Sequence, residues 1–171
     1  MNQLLSHFLK KLDETPTQRR RYEMEKKKAK VGTPWHLWLV GVFFVFLNAC
    51  GVYDYFMMLG HDPAYYQMNK HGEAVVAYFT DYPILFNVFW TVSISSGLIA
   101  SILLLVRSRW AVPGALICFV SLICLDVLTF ALRDRWHVFG PWSALFDIVI
   151  LLMMLVLFLY SQKMAKRGVL R

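Results

Sequence analysis

The chain predicts an all-helical integral membrane protein with four spanning helices, and three observations support that fold class. Of 171 residues, 58% are hydrophobic and only 17% charged, whereas soluble domains carry nearer ~25% charged residues. The apolar residues gather into four long charge-poor stretches, and a bilayer-crossing helix needs ~20 such residues in a row. Lys and Arg are divided very unevenly among the segments that join those stretches. The predicted architecture is therefore a four-transmembrane-helix bundle with an amphipathic, basic N-terminal helical arm and a short helix in an outer loop.

Residues 1–34 form the arm. Leu4, Leu5, Phe8, Leu9 and Leu12 recur at helical spacing beside Lys10 and Lys11, a pattern suited to a short helix lying among lipid headgroups. Thr15-Pro16-Thr17-Gln18 then supplies an N-cap, a first-turn proline and a capping-box glutamine. A second helix through Arg19 to Lys30 follows, stopped by Gly32 and Pro34. It carries the basic cluster Arg19, Arg20, Arg21, Lys26, Lys27 and Lys28, expected to meet anionic lipid or an acidic protein partner.

The membrane domain occupies residues 35–162, with spans at about 35–59, 83–106, 112–132 and 142–162, an outer loop at 60–82 and a basic tail at 163–171. The first span follows 34 mostly polar residues and precedes no small-residue cleavage site, which predicts a spanning helix rather than a cleavable signal peptide. Within the outer loop, Asp62-Pro63 marks a helix start and Ala64 to Phe79 is predicted helical. Its tyrosines and valines suit a segment resting on, or plugging, the outer mouth. Trp35, Trp38, Trp110 and Trp142 fall near span ends, where indoles anchor at the interface. Cys50, Cys118 and Cys124 all lie inside spans without metal-ligand spacing, so neither disulfides nor zinc is expected.

If the spans alternate, 15 of the 18 Lys and Arg residues lie on one side and only Lys70, Arg133 and Arg135 on the other. The positive-inside rule then puts both termini and the Arg107–Arg109 turn in the cytoplasm of a bacterial-type inner membrane. The basic balance is accounted for by the anionic inner leaflet, and with no nucleic-acid-binding fold in view nucleic acid is not an expected partner.

Three carboxylates interrupt the spans: Asp54, Asp126 and Asp147. At a rise of ~1.5 Å per residue, Asp126 lies roughly 9 Å inside its span and Asp147 at a comparable depth. Asn48 and Asn87 put amides at similar depth on the first two spans. Lipid cannot satisfy such groups, so they are expected to face the bundle interior, as polar glue between helices or as a shared outer-leaflet pocket. Arg133 and Arg135 are the possible counter-charges, Asp126 reaching toward Arg133 and Asp147 toward Arg135 or a tyrosine. Ser93, Gly97 and Ser101, four residues apart, form the expected helix-packing face. His61, Asp62, His71, Glu73 and His137 match no metal template, and no nucleophilic triad, phosphate loop or haem motif is present. No catalytic residue, metal or cofactor is expected.

Trp38, Asn48 with Gly51, Tyr53-Asp54-Tyr55, Tyr78 with Tyr82-Pro83, Trp90, the Gly97 span and Leu103-Leu104-Leu105-Val106-Arg107-Ser108-Arg109-Trp110-Ala111 give the stretch from Trp35 to about Leu132 a family character. It resembles a group of small bacterial four-helix membrane proteins that commonly carry a sugar-transporter label. The resemblance covers a little over half the chain, and the basic arm and acidic fourth span depart from it. Two functions are expected. The first is a non-catalytic accessory, assembly or stabilising subunit that packs through Ser93, Gly97 and Ser101 against a protein partner or a second copy. The alternative is a small transporter or channel for a proton, cation or small polar solute, using the acidic pocket.

Overall fold

The computed structural model describes residues 15–21, 32–68 and 72–171, which divide into two units, residues 1–33 and residues 34–171. In the first, a helical turn at 16–21 opens on the capping box. The Thr15 amide donates to Gln18 Oε1 at 3.3 Å and the Gln18 amide to Thr15 Oγ1 at 3.4 Å. Arg19, Arg20 and Arg21 are exposed on this turn. The stretch from Leu4 to Leu12 and Lys26, Lys27 and Lys28 lie outside the described residues.

The second unit is all-helical among the described residues: α1 (Trp35–Leu59), α2 (Pro63–Met68), α3 (Glu73–Thr80), α4 (Ile84–Leu105), α5 (Ala111–Leu132) and α6 (Arg135–Lys166). Four of these, α1, α4, α5 and α6, are long and apolar enough to cross a membrane, with mean hydropathy from 1.8 to 2.6 over their best windows. Even the 22-residue α4 and α5 reach about 33 Å, more than the ~30 Å hydrocarbon core. Large apolar side chains remain exposed around them, Ile84 at 83% and Trp142 at 81% among them, a surface compatible with lipid.

Proline starts and left-handed stops cut the chain into these lengths. Pro34 and Pro83 sit in extended conformation just before α1 and α4 and accept the amides of Leu37 and Phe86 at 3.0 Å. At the far end of α4 the Ser108 amide returns to the Leu103 carbonyl and the Arg107 amide to Leu104, the double bond of a Schellman cap. Arg107 holds the left-handed position that glycine normally takes, at φ 62. The chain beyond α6 supports it: the Arg171 amide donates to the Arg107 carbonyl at 2.6 Å and the Arg109 amide to the Arg171 carbonyl at 2.9 Å. A second Schellman cap at Gly168, φ 74, aims residues 169–171 into that contact and buries Val169 and Leu170.

The helix predicted across Ala64–Phe79 is instead two described helices, α2 and α3. Asp62 caps α2, its Oδ1 accepting the Tyr65 amide at 2.8 Å, with Pro63 in the first helical position. The last long helix is broken at Gly140, whose φ 77 and ψ 176 belong to a backbone region open essentially to glycine alone. Pro141, which has no amide to offer, restarts it.

The long helices pack in chain order, α1 on α4, α4 on α5 and α5 on α6. Small residues make the contacts close. A Cβ on Gly97 would fall onto the Asn48 side chain and within 2.9 Å of Cys118 Sγ, and one on Gly114 would lie 3.1 Å from the Ala100 Cβ. Ser93, Gly97 and Ser101 are thus buried between α1, α4 and α5 of the same chain. By contrast, α1 and α6 do not pack along their lengths. They meet near the Arg107 turn end, where His36 Nδ1 and the Tyr160 hydroxyl lie 2.6 Å apart.

Candidate functional site: an acidic cavity between the first and last long helices

Because α1 and α6 stand apart, a cavity of about 680 Å³ opens between them, backed by α4 and α5 and bordered by α2 and α3. Asn48, Asp54, Asp126 and Asp147 all line it, together with Ser93 and Arg135. The three membrane acids therefore share one space. Each has a different local chemistry.

Asp147, on α6 beyond the Gly140 break, is held bidentately by Arg135: Nε to Oδ2 at 2.7 Å and Nη2 to Oδ1 at 3.0 Å. Arg135 also stacks over Phe139, 4.7 Å from its ring centre. Asp54, on α1, accepts a short hydrogen bond of 2.5 Å from the Tyr65 hydroxyl, which fastens α2 to α1. The Asp126 carboxylate, on α5, makes no hydrogen bond or ion pair among the described residues, yet it lies within electrostatic reach of both Asp147 and Arg135. Three carboxyl groups and a single guanidinium thus line the cavity.

The amide of Asn48 is already committed. Its Nδ2 donates to the Phe44 carbonyl at 2.8 Å and to Ser101 Oγ at 3.3 Å, tying α1 to α4. Ser93 Oγ donates to the Cys118 carbonyl at 3.4 Å, tying α4 to α5. These groups set the floor of the cavity and hold its walls.

Asn87 and Arg133 are placed elsewhere. Asn87 belongs to a separate hollow on α4 with Thr91 and Val88, where the Tyr55 hydroxyl donates to its Oδ1 at 2.6 Å. It shares the depth of the acids but points along another face. Arg133, expected opposite Asp126, instead donates from Nη2 to the Tyr78 carbonyl and stacks over the Tyr78 ring at 4.9 Å. Of the two expected counter-charges, Arg135 alone forms an ion pair with a membrane acid among the described residues.

Aromatic side chains make up much of the remaining lining, a feature the acid pattern did not disclose. Tyr53, Tyr65, Phe79, Tyr82, Trp90 and Phe146 all border the cavity. Several are braced by edge contacts, Tyr53 with Tyr65 at 5.7 Å and Trp90 with Tyr82 at 5.9 Å. Over the loop end, Met58, Tyr66, Val75, Tyr78 and Phe79 form a buried cluster against which Tyr82, Trp90 and Phe139 pack. Burial pushes the Tyr66 and Tyr82 phenols above their ordinary range, with Asp54 adding to the effect at Tyr66 and Tyr78 at Tyr82. Burial raises Tyr78 too, against the pull of Arg135 and Arg133. These hydroxyls stay protonated and neutral at physiological pH.

Among the described residues no three His, Cys, Asp or Glu side chains gather as a metal site. His61 stacks on Tyr66 and His137 pairs with Asp134 on the exposed surface, while His71 lies outside the described residues. No family model, curated protein or solved structure matches the chain.

Proposed function

We propose that this is a multi-pass protein of a bacterial-type cytoplasmic membrane that takes a small cationic or polar solute into the acidic cavity from the outer leaflet, as a transporter or solute receptor. The Lys and Arg partition supports an orientation with the Arg107 turn and both ends of the chain in the cytoplasm. Asp54, Asp126 and Asp147 then face the outer half of the membrane.

One observation carries the reading. The cavity is within the size range of small-molecule sites, about 300–1,000 Å³, and its unpaired group, Asp126, is a carboxylate beside an already neutralised Arg135–Asp147 pair. A carboxylate left without a partner in a membrane helix has a high cost, which a positively charged ligand offsets. The accessory-subunit reading relied on Ser93, Gly97 and Ser101 as an available docking face. Those residues are spent on contacts within the chain.

Ligand-dependent thermal stabilisation of the purified protein tests the proposal, because a ligand bound only by the folded state raises the melting temperature by mass action. The panel comprises sodium, potassium, guanidinium, choline, tetraphenylphosphonium and neutral hexoses. At least one cation stabilises the wild type and loses its effect in Asp126→Asn. Equal responses of the two proteins to every compound overturn the reading, as does stoichiometric co-purification with a membrane protein that shields Cys50 from alkylation.

A further inference from the structure

We propose that the occupant of the cavity is an organic cation with a bulky apolar body, an ammonium or phosphonium amphiphile, which enters sideways from the bilayer through the seam between α1 and α6. The inference rests on the solute-binding reading and narrows its ligand class.

The size of the cavity argues against a bare ion. Its 680 Å³ would hold roughly twenty waters at about 30 Å³ each, and the described residues offer no three-ligand metal cluster. An inorganic cation at Asp126 would leave most of the space, and nearly all the aromatic wall, without a contact. A large organic cation uses both. Its charge meets Asp126, and its body packs on Trp90, Tyr82 and Phe79, whose ring faces attract cations at short range.

The charge distribution sets the sign. Arg135, the cation in the cavity wall, is committed to Asp147, and Arg133 is turned to the Tyr78 carbonyl and does not line the cavity, so no described cation of the lining is free to receive an anion. Asp54 retains its second oxygen beyond the bond from Tyr65.

The path of entry follows from what packs and what does not. At the loop end α2 and α3 cover the approach, with Tyr65 fastened to Asp54 and the Tyr66 hydroxyl to the Met58 carbonyl at 2.9 Å. At the other end His36 and Tyr160 join α1 to α6. Between these closures the two helices stand apart, and the lining residues Tyr53 and Phe146 are 55% and 63% exposed on the flank that faces lipid. A solute dissolved in the outer leaflet reaches Asp126 along this flank without crossing the aromatic cover.

Equilibrium dialysis of the full chain in detergent, with protein-free micelles as the blank, tests the idea with three probes: tetraphenylphosphonium, its near-isosteric anion tetraphenylborate, and the small hydrophilic cation choline. Expected is saturable binding of tetraphenylphosphonium, one per chain, with choline about 100-fold weaker for want of apolar contact and tetraphenylborate at the blank. Asp126→Asn weakens binding about tenfold or more while Asp126→Glu retains it, and Trp90→Ala costs about tenfold. Alkylation of Cys50, which lines the cavity and is exposed, slows when tetraphenylphosphonium is bound. Short-chain phosphatidylcholine, carrying the same quaternary ammonium on a lipid headgroup, fails to displace the probe at equal concentration. Equal binding of anion and cation, choline as tight as tetraphenylphosphonium, displacement by phosphatidylcholine, or full binding by both Asp126→Asn and Trp90→Ala would each overturn the proposal. Asp126-dependent binding of choline without tetraphenylphosphonium defeats this inference and leaves the solute reading standing. If no cation binds in an Asp126-dependent way, both fall.

Discussion

His36 and Tyr160, 124 positions apart in sequence, share a hydrogen bond of 2.6 Å that joins the first long helix to the last at the end opposite the aromatic loop. Their rings also meet edge to face, with centres 5.8 Å apart. Neither helix packs on the other along the rest of its length. Tyr160→Phe should therefore cost only about 1 kcal/mol of stability, the usual worth of an interhelical polar contact, and yet widen the separation of α1 and α6 at this end. Spin labels at Leu39 and Leu159, both exposed, would record the change by electron paramagnetic resonance. An unchanged distance distribution argues that α5 alone holds α6 in place.

A matched pair of glycines measures how tightly the cavity floor is packed. Gly97→Ala would drive a methyl into the Asn48 side chain and Cys118, and overpacking of this kind costs about 1–3 kcal/mol. Gly51→Ala meets only Ile94 Cγ2, at 4.0 Å, and a helical alanine gains about 0.5–1 kcal/mol over glycine. Thermal or denaturant unfolding in one detergent should move the two variants in opposite directions. The same sign for both would contradict the close α1–α4–α5 contact.

Arg135 and Asp147 differ from an exposed pair because their side chains are only 20% and 13% accessible. Removing one partner strands a charge, which costs about 3–5 kcal/mol when burial is complete; here, with some solvent access, Arg135→Met should cost about 2 kcal/mol. The double replacement Arg135→Met with Asp147→Leu should recover most of that loss. Unfolding of the three variants decides it, and a double variant no more stable than Arg135→Met would remove the argument.

Much of the fold was legible because long charge-poor runs make long helices: the four long helices follow directly from such runs bounded by Pro34, Pro83, the Arg107 turn and Gly140. Rotation about each helix axis was not legible. In a soluble helix the polar face reveals it, but here both the packed and the exposed faces are apolar. Asn87 shows the consequence, since depth alone grouped it with the acids while its face turns to Tyr55 and Thr91. Arg133 was misdirected for a related reason. Spacing placed it two helical turns beyond Asp126, but α5 ends at Leu132 and Arg133 itself leaves helical geometry at φ −125 and ψ 12, with its guanidinium over Tyr78. The aromatic wall was hidden as well, because its residues come from the loop, α1, α4 and α6 and share no sequence period.

Along an unbroken helix, residues twelve apart would stand about 18 Å from each other and about 120° around the axis. Arg135 and Asp147 are twelve apart and touch at 2.7 Å. The backbone at Gly140 therefore folds the five residues before it down beside the helix that follows, and the ion pair fastens that flap. Where other helices are held turn by turn through amides and carbonyls, this one crosses a point at which Pro141 has no amide to give. The shape of the cavity rim consequently depends on a side-chain splint, and a competing charge inside the cavity can reach that splint in a way it cannot reach a peptide ladder.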